Sequence, residues 1–273
     1  MCASSYGCVA RSVADPKRYL PVLRVPAWES IPNLVHGFHG RQGGVSRGAF
    51  AELNLSDRVG DAAEAVRENW RRVNATMGGM RAARMQQVHG SRVVVVSHAN
   101  AEVGEADAIL TSSAETAVGV LTADCVPILM VAPRQCVVAA VHAGWRGTLV
   151  GVVQEAVRQI EWECGGQPAE IQVALGPAIG GCCYEVDGSI ADALERRWGP
   201  LPDAVRSTGG PKAMIDLRLA NAAIVVRSGV QLRHIFSVGP CTRCAATEYF
   251  SHRASGGLTG RQWSFIGWRS GPS

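Results

Sequence analysis

The chain has 273 residues, 47 % hydrophobic and 18 % charged, a composition able to bury a large core. Its formal net charge of +4 comes from scattered arginines, which excludes the concentrated basic stripe of a nucleic-acid-binding protein. Nine cysteines in so long a chain do not make the dense disulfide framework of a small secreted domain, so a reducing compartment is expected.

Residues 1–20 are small and polar and read as a loose lead-in. Arg11, Asp15, Lys17 and Arg18 argue against a signal peptide, and no apolar run approaches the roughly 20 residues of a membrane span. A soluble, cytoplasmic protein is expected. Residues 33–50 give a short strand and a Gly-rich loop with Arg41 and Arg47. Residues 61–79 predict a helix, with Asp61 as N-cap and Gly78-Gly79 as the stop. Residues 84–97 predict two strands around a His89-Gly90 turn. "ADAILT" and "AVGVLTADCVPILMVAP" are β-rich, the second interrupted by Pro127. "QCVVAAVHAGWRG" predicts a buried strand ending in a Gly turn. Residues 148–166 predict one helix, with Thr148 at its start.

The next predicted elements are a strand in "IQVALGPAIGG", a helix in "SIADALERRWG", a strand in "KAMIDL", a helix in "RLANAAIVVRSG" and a strand in "RHIFSVG". The tail from Cys241 to Trp268 is rich in Gly and Arg and lacks clear periodicity. No repeat, linker or composition break divides the chain. The expectation is an α/β chain with one domain over residues 21–273 and sheets covered on both faces.

Three chemistry-bearing side chains, His89, Cys125 and His142, each lie at the end of an apolar strand beside Gly, Pro or Asp. Strand ends let side chains from separate strands converge. Two imidazoles and a thiolate suit zinc and leave a fourth tetrahedral position open. A bound water would then ionise near a pKa of about 7. The same residues also read as three unrelated core positions, since Cys is often buried as a small hydrophobe. Cys125 and His142 further permit a nucleophile–base pair. Asp124 either orients an imidazole or caps the turn.

"HAGWRGT", "GRQGGVSRG" and "SHRASGGLTGRQ" each combine Gly-rich backbone with Arg, as an anion pocket does. Trp145, Tyr184 and Trp268 read either as stacking platforms for a flat ring or as core. "CTRC" and "CCYEV" contain four cysteines that could hold a structural zinc. Adjacent Cys182 and Cys183 argue against it, and free buried thiols are the expectation.

Several segments, in order, resemble the laccase-domain family, also called the polyphenol oxidase or purine nucleoside phosphorylase family, and similar to peptidoglycan editing factors. They are "GGVS", "ELNLSDRVGD", "QQVHG", "EADAILT", "TADCVPILM", "AVHAGWRGT", "GPAIGGCCYEV" and "FSHR" with "TGR". The likeness covers residues 34–268. It implies a single-domain four-layer α/β/β/α sandwich, distantly like the catalytic domain of cytotoxic necrotizing factors. It implies His89, Cys125 and His142 as metal ligands for Zn²⁺, with Cu²⁺ as a possibility. The departures are His39-Gly40 before Arg41, Trp70 after Glu68-Asn69, and His252 with Ala254 around Arg253.

The expected activity is zinc-dependent chemistry on purine nucleosides. It comprises phosphorolysis of adenosine, inosine and methylthioadenosine, and deamination of adenosine. Cys125, His142 and Asp124 are the expected catalytic groups, and Arg41, Arg146, Arg253 and Arg261 would hold phosphate. The alternatives are an amidase editing peptidoglycan precursors through Cys125 and His142, and a copper polyphenol oxidase. The expected partners are a small-molecule nucleoside and phosphate, with no nucleic acid or membrane, and the chain is expected to be a monomer.

Overall fold

The computed structural model describes residues 20–98, 102–165 and 167–270. In chain order the strands begin with β1 (Val22–Leu23) and β2 (Leu34–His39). Helix α1 (Ala63–Thr76) follows, then β3 (Arg81–Gln86), β4 (Val93–Val95), β5 (Glu102–Glu105), β6 (Ala108–Thr111), β7 (Thr116–Thr122), β8 (Val126–Ala132) and β9 (Val137–Ala143). Two helices come next, α2 (Trp145–Val150) and α3 (Val152–Cys164). The rest is β10 (Gln172–Leu175), β11 (Glu185–Asp187), α4 (Gly188–Trp198), β12 (Val205–Ser207), β13 (Lys212–Ile215), α5 (Leu217–Arg227), β14 (Ile235–Ser237) and β15 (Gln262–Trp268).

The strands form two six-stranded sheets. The first has the order β1-β2-β15-β7-β3-β5 and the second β14-β10-β8-β9-β6-β4; a small sheet, β11-β13-β12, stands beside them. Between β3 and β8 the chain alternates between the two large sheets. Strands β3, β5 and β7 are parallel in the first sheet. Strands β4, β6 and β8 share one direction in the second, because β4 is parallel to β6, and both β6 and β8 are antiparallel to β9. The three crossings from first sheet to second therefore lie at one end of the sandwich. The C-terminal end of β9 lies there too.

The packing makes four layers. Val73 of α1 and Met77 just after it are buried against Val35, Ala117 and Phe265 on the outer face of the first sheet. Phe38, Val118, Val120 and Ile266 of that sheet meet Ile109, Leu129, Val138 and Ala174 of the second. The opposite face of the second sheet, with Ile128, Met130, Val141 and Val173, is covered by Val153, Val157 and Ile160 of α3 and by Ile224 and Val225 of α5. Strands β8 and β9 are buried at every position, which explains why they read as unbroken apolar runs.

Four local expectations are corrected. The helix expected over 148–166 is two helices, because Gly151 takes φ 86° between them, a left-handed conformation natural to glycine. Its first part starts at Trp145, not Thr148. Asp61 does not cap α1; its carboxylate accepts bonds from Ser46 and Asn54 instead, and Ala62 occupies the cap. Pro127 does not interrupt a strand but lies within β8, while the break falls at 123–125, where the chain changes sheets. The unpatterned tail ends in β15, a central strand between β2 and β7, buried on both faces and so without alternation. The expected lead-in lies outside the described residues apart from Leu20, which is buried in the α1 layer.

Candidate metal centre

Each of the three first-to-second-sheet crossings carries one polar residue to the same corner. His89 lies between β3 and β4, Asp107 between β5 and β6, and Cys125 between β7 and β8. His142 arrives from the end of β9, where it pairs with Pro127 across the ladder. His89 and Asp124 have φ of 62° and 88°, so two of the crossings turn sharply through left-handed backbone. These turns aim the side chains inward instead of along a sheet face.

The donor atoms of His89, Cys125 and His142 all lie within 4.8 Å of one another, and Cys125 Sγ is 3.9 Å from His89 Nε2. A tetrahedral zinc with bonds of about 2.0–2.3 Å spans such a set. Gly144 leaves the space this corner needs. A Cβ there would lie 2.9 Å from His89 Cδ2 and 3.0 Å from Cys125 Sγ. The residues present therefore fit a soft or borderline metal ion.

Asp107 is fully buried and organises the corner. Its carboxylate accepts the N–H groups of Val88, His89 and Gly90 at 3.2, 2.9 and 2.7 Å. It also lies 2.8 Å from His142 Nδ1, so that ring donates Nδ1–H and turns Nε2 toward Cys125. Burial opposes ionisation of Asp107, but the bonds from His142 and the loop amides outweigh it and keep its pKa below the usual carboxylate value.

Burial also opposes charge on the Cys125–His142 pair. The His142 charge and hydrogen bonds from both imidazoles nonetheless bring the Cys125 thiol down to about 6. The thiolate and Asp107 in turn raise His142 to about 9. A thiolate is the form that ligates metal and the form that attacks carbon.

Asp124 fulfils neither of its two readings: it does not orient His142, and its carboxylate is taken by residues far along the chain and not by its own turn. Its carboxylate accepts Thr242 Oγ1–H at 2.6 Å and the Arg253 N–H at 2.6 Å, and its carbonyl accepts the Ile179 N–H. It fastens the C-terminal loops beside Cys125; Asp107, not Asp124, orients the imidazole. Asp107 went unassigned in the sequence because "EADAILT" reads as the edge of a strand. The available signal was a carboxylate next to a wholly apolar segment.

The corner opens into a cavity of about 980 Å³. Arg146, Arg253 and Arg261 line it, as do Arg58 and Arg84, which sequence reasoning did not assign. Arg253 stacks over Tyr184 and Arg146 over Trp145, so both aromatic residues belong to the cavity wall. One expectation fails. Arg41 does not face this cavity: it donates to the carbonyls of Ala51 and Ala246 and lies over Phe250, as a brace for the Gly-rich loop. Of the two readings of Trp268 the structure realises the core one, with the ring packed between the sheets.

The fold and the corner define a class: an α/β/β/α sandwich with a His/Cys/His donor set on its inter-sheet crossings. Residues 35–269 match the family described as multi-copper polyphenol oxidoreductase laccase, and the chain belongs to that family. It is 36 % identical over 247 residues to the purine nucleoside phosphorylase YlmD of Geobacillus stearothermophilus, covering 86 % of this chain and 90 % of the relative. The crystal structure of YlmD from that organism superposes with a TM-score of 0.83 over 88 % of this chain and 93 % of that one. The chain is also 36 % identical to adenosine deaminase RL5 from an unknown prokaryotic organism, over 85 % of this chain and 93 % of that one. No helix among the described residues is long and apolar enough to cross a membrane.

Proposed function

We propose that the chain is a zinc-dependent enzyme of purine nucleosides, catalysing phosphorolysis of adenosine, inosine and methylthioadenosine and deamination of adenosine. The observation that carries this reading is the His89/Cys125/His142 corner at the wall of a cavity lined by five arginines. A bound zinc would supply a Lewis acid beside the reacting atoms.

The chain's own residues supply the rest. Arg146, Arg253 and Arg261 offer forked donors that neutralise and orient phosphate. In phosphorolysis a phosphate oxygen bonds to C1′ as the C1′–N9 bond breaks, giving ribose 1-phosphate and the base; aligned arginines lower the cost of that charge movement. In deamination water adds at C6 and ammonia departs. Asp107 keeps the His142 proton on Nδ1, which fixes the imidazole that borders the reacting centre. Tyr184 and Trp145 give the cavity flat walls suited to a purine ring.

The test is to incubate the purified, zinc-loaded protein with adenosine and phosphate and to separate the products. Adenine with ribose 1-phosphate, or inosine with ammonia, supports the reading; an unchanged nucleoside rejects it. We read the chain as a cytoplasmic monomer of one domain, which light scattering and fractionation test.

One observation favours a second reading, an amidase editing peptidoglycan precursors: the Cys125 thiol sits low beside a His142 imidazole held by a carboxylate. Release of an amino acid from such a precursor, with nucleosides inert, would decide for it. A copper polyphenol oxidase ranks below both. The corner offers donors for a single ion, and four-electron reduction of O₂ needs more than one copper.

A further inference from the structure

A second donor cluster lies outside the corner. Cys182, Cys183, Cys241 and Cys244 place their four sulfurs within 4.8 Å of one another. Cys244 Sγ lies 3.7 Å from Cys182 Sγ and 3.4 Å from Cys183 Sγ. A tetrahedral ion with metal–sulfur bonds of about 2.3 Å separates its sulfurs by about 3.8 Å, whereas a disulfide needs about 2.05 Å. The expectation of free buried thiols is corrected: only Cys241 of the four is buried.

The backbone explains how adjacent cysteines reach one point. Cys183 N–H and Tyr184 N–H both bond to the Gly180 carbonyl, which curls residues 181–183 into a turn. Cys182 and Cys183 therefore do not point to opposite sides as they would in a strand. A Cβ at Gly180 would lie 3.4 Å from Cys182 Sγ and 3.4 Å from Cys241 Cβ, so the loop is narrow at this point. On the other loop the Ala245 N–H bonds to the Cys241 carbonyl. Cys241 Sγ accepts the N–H of Gly180 at 3.2 Å, which joins the two loops beside the four sulfurs. A turn of this kind presents C-x-x-C sulfurs to a shared ion.

We propose that Cys182, Cys183, Cys241 and Cys244 form a structural tetrathiolate zinc site, distinct from the His89/Cys125/His142 corner. Each ligating thiol gives its proton to solvent, and zinc(II) keeps its oxidation state, so no oxidant is involved. The site ties the loop after β10 to the loop after β14. The first loop is held to the start of α5 by Gly181 N–H on the Asp216 carboxylate. The second is held to Asp124 by Thr242, and to the Ala178 carbonyl by the Thr242 N–H. The ion would thus brace the wall beside Cys125 without touching substrate. The inference stands apart from the activity reading.

The test is metal content, measured on tag-free protein purified under reduction. Wild type should carry two zinc ions per chain. The Cys241→Ser/Cys244→Ser protein should lose one and keep one. The Cys125→Ser protein should keep one whose X-ray absorption is fitted by a sulfur-only shell. If the double variant does not fold, the Cys125→Ser spectrum and a cobalt-substituted wild-type spectrum, with or without tetrathiolate charge transfer, still decide. A double variant that keeps the full zinc content of wild type overturns the proposal, as does a cobalt-substituted wild type without tetrathiolate charge transfer. These readings hold whether or not nucleosides turn over.

Discussion

Asp107 accepts the backbone N–H of His89 and the ring Nδ1–H of His142 through the same carboxylate oxygen, at 2.9 and 2.8 Å. One buried oxygen thus sets both the loop that carries the first imidazole and the tautomer of the second. Replacing Asp107 with Asn leaves at most two acceptor positions on one oxygen and puts an NH₂ against backbone N–H groups. Metal affinity and turnover should both fall by about 10–100-fold, measured by competition with a chromophoric chelator and by product formation.

Gly144 to Ala tests the space at the corner. Its backbone, at φ −78° and ψ 177°, suits alanine, so only the new methyl acts. At 2.9 and 3.0 Å from His89 and Cys125 it must push a ligand aside. The variant should stay folded by circular dichroism and lose bound metal from the corner. Full metal content in a folded Gly144→Ala protein would reject the assigned geometry.

The arginines should divide by consequence. Arg146 is exposed at the cavity and stacks on Trp145, so Arg146→Ala should raise KM for phosphate with little change in stability. Arg41 is committed to two carbonyls and a ring, so Arg41→Ala should cost about 1–3 kcal/mol of stability and leave KM for phosphate near wild type. Chemical denaturation and initial-rate kinetics separate the two.

His36 gives a pH dependence. Its Nε2 accepts the Val25 N–H at 2.9 Å, so the ring must be neutral there, and its ring meets Trp28 edge-on. Burial, with a smaller contribution from Arg24, lowers its pKa to about 4 from 6.5. The unfolded chain takes up that proton first. The stabilisation is complete above pH 6.5 and is lost as pH falls toward 4, by on the order of 2–3 kcal/mol. Urea unfolding from pH 7 to 4.5 should show a steeper decline for wild type than for His36→Gln; parallel curves would refute it.

Strand β9 and the ends of β7 and β8 were legible because full burial writes itself as continuous Val, Ile, Leu and Ala, and His142 and Cys125 stand out against it. What was hidden depends on partners far along the chain. Asp107 acquires its role only when three amides from the His89 loop close on it. Strand β15 has no alternation because both faces are covered. Arg41 and Arg253 look alike in sequence, each within a Gly-containing loop; the carbonyls near one and the open cavity near the other separate them. The sheet-to-sheet alternation was not legible at all, since consecutive strands give no sign of which sheet they will join.

That alternation has a consequence for assembly. His89, Asp107 and Cys125 each sit on a span leading from one sheet to the other, and His142 ends a strand of the second. A chain with only one sheet formed has no corner, whichever sheet it is. Metal capture at this corner would therefore read out tertiary structure. An ion would be held only by molecules whose two sheets have already met in register, and a cavity opened at Phe38 or Leu129, between the sheets and away from the donors, should register as weakened capture.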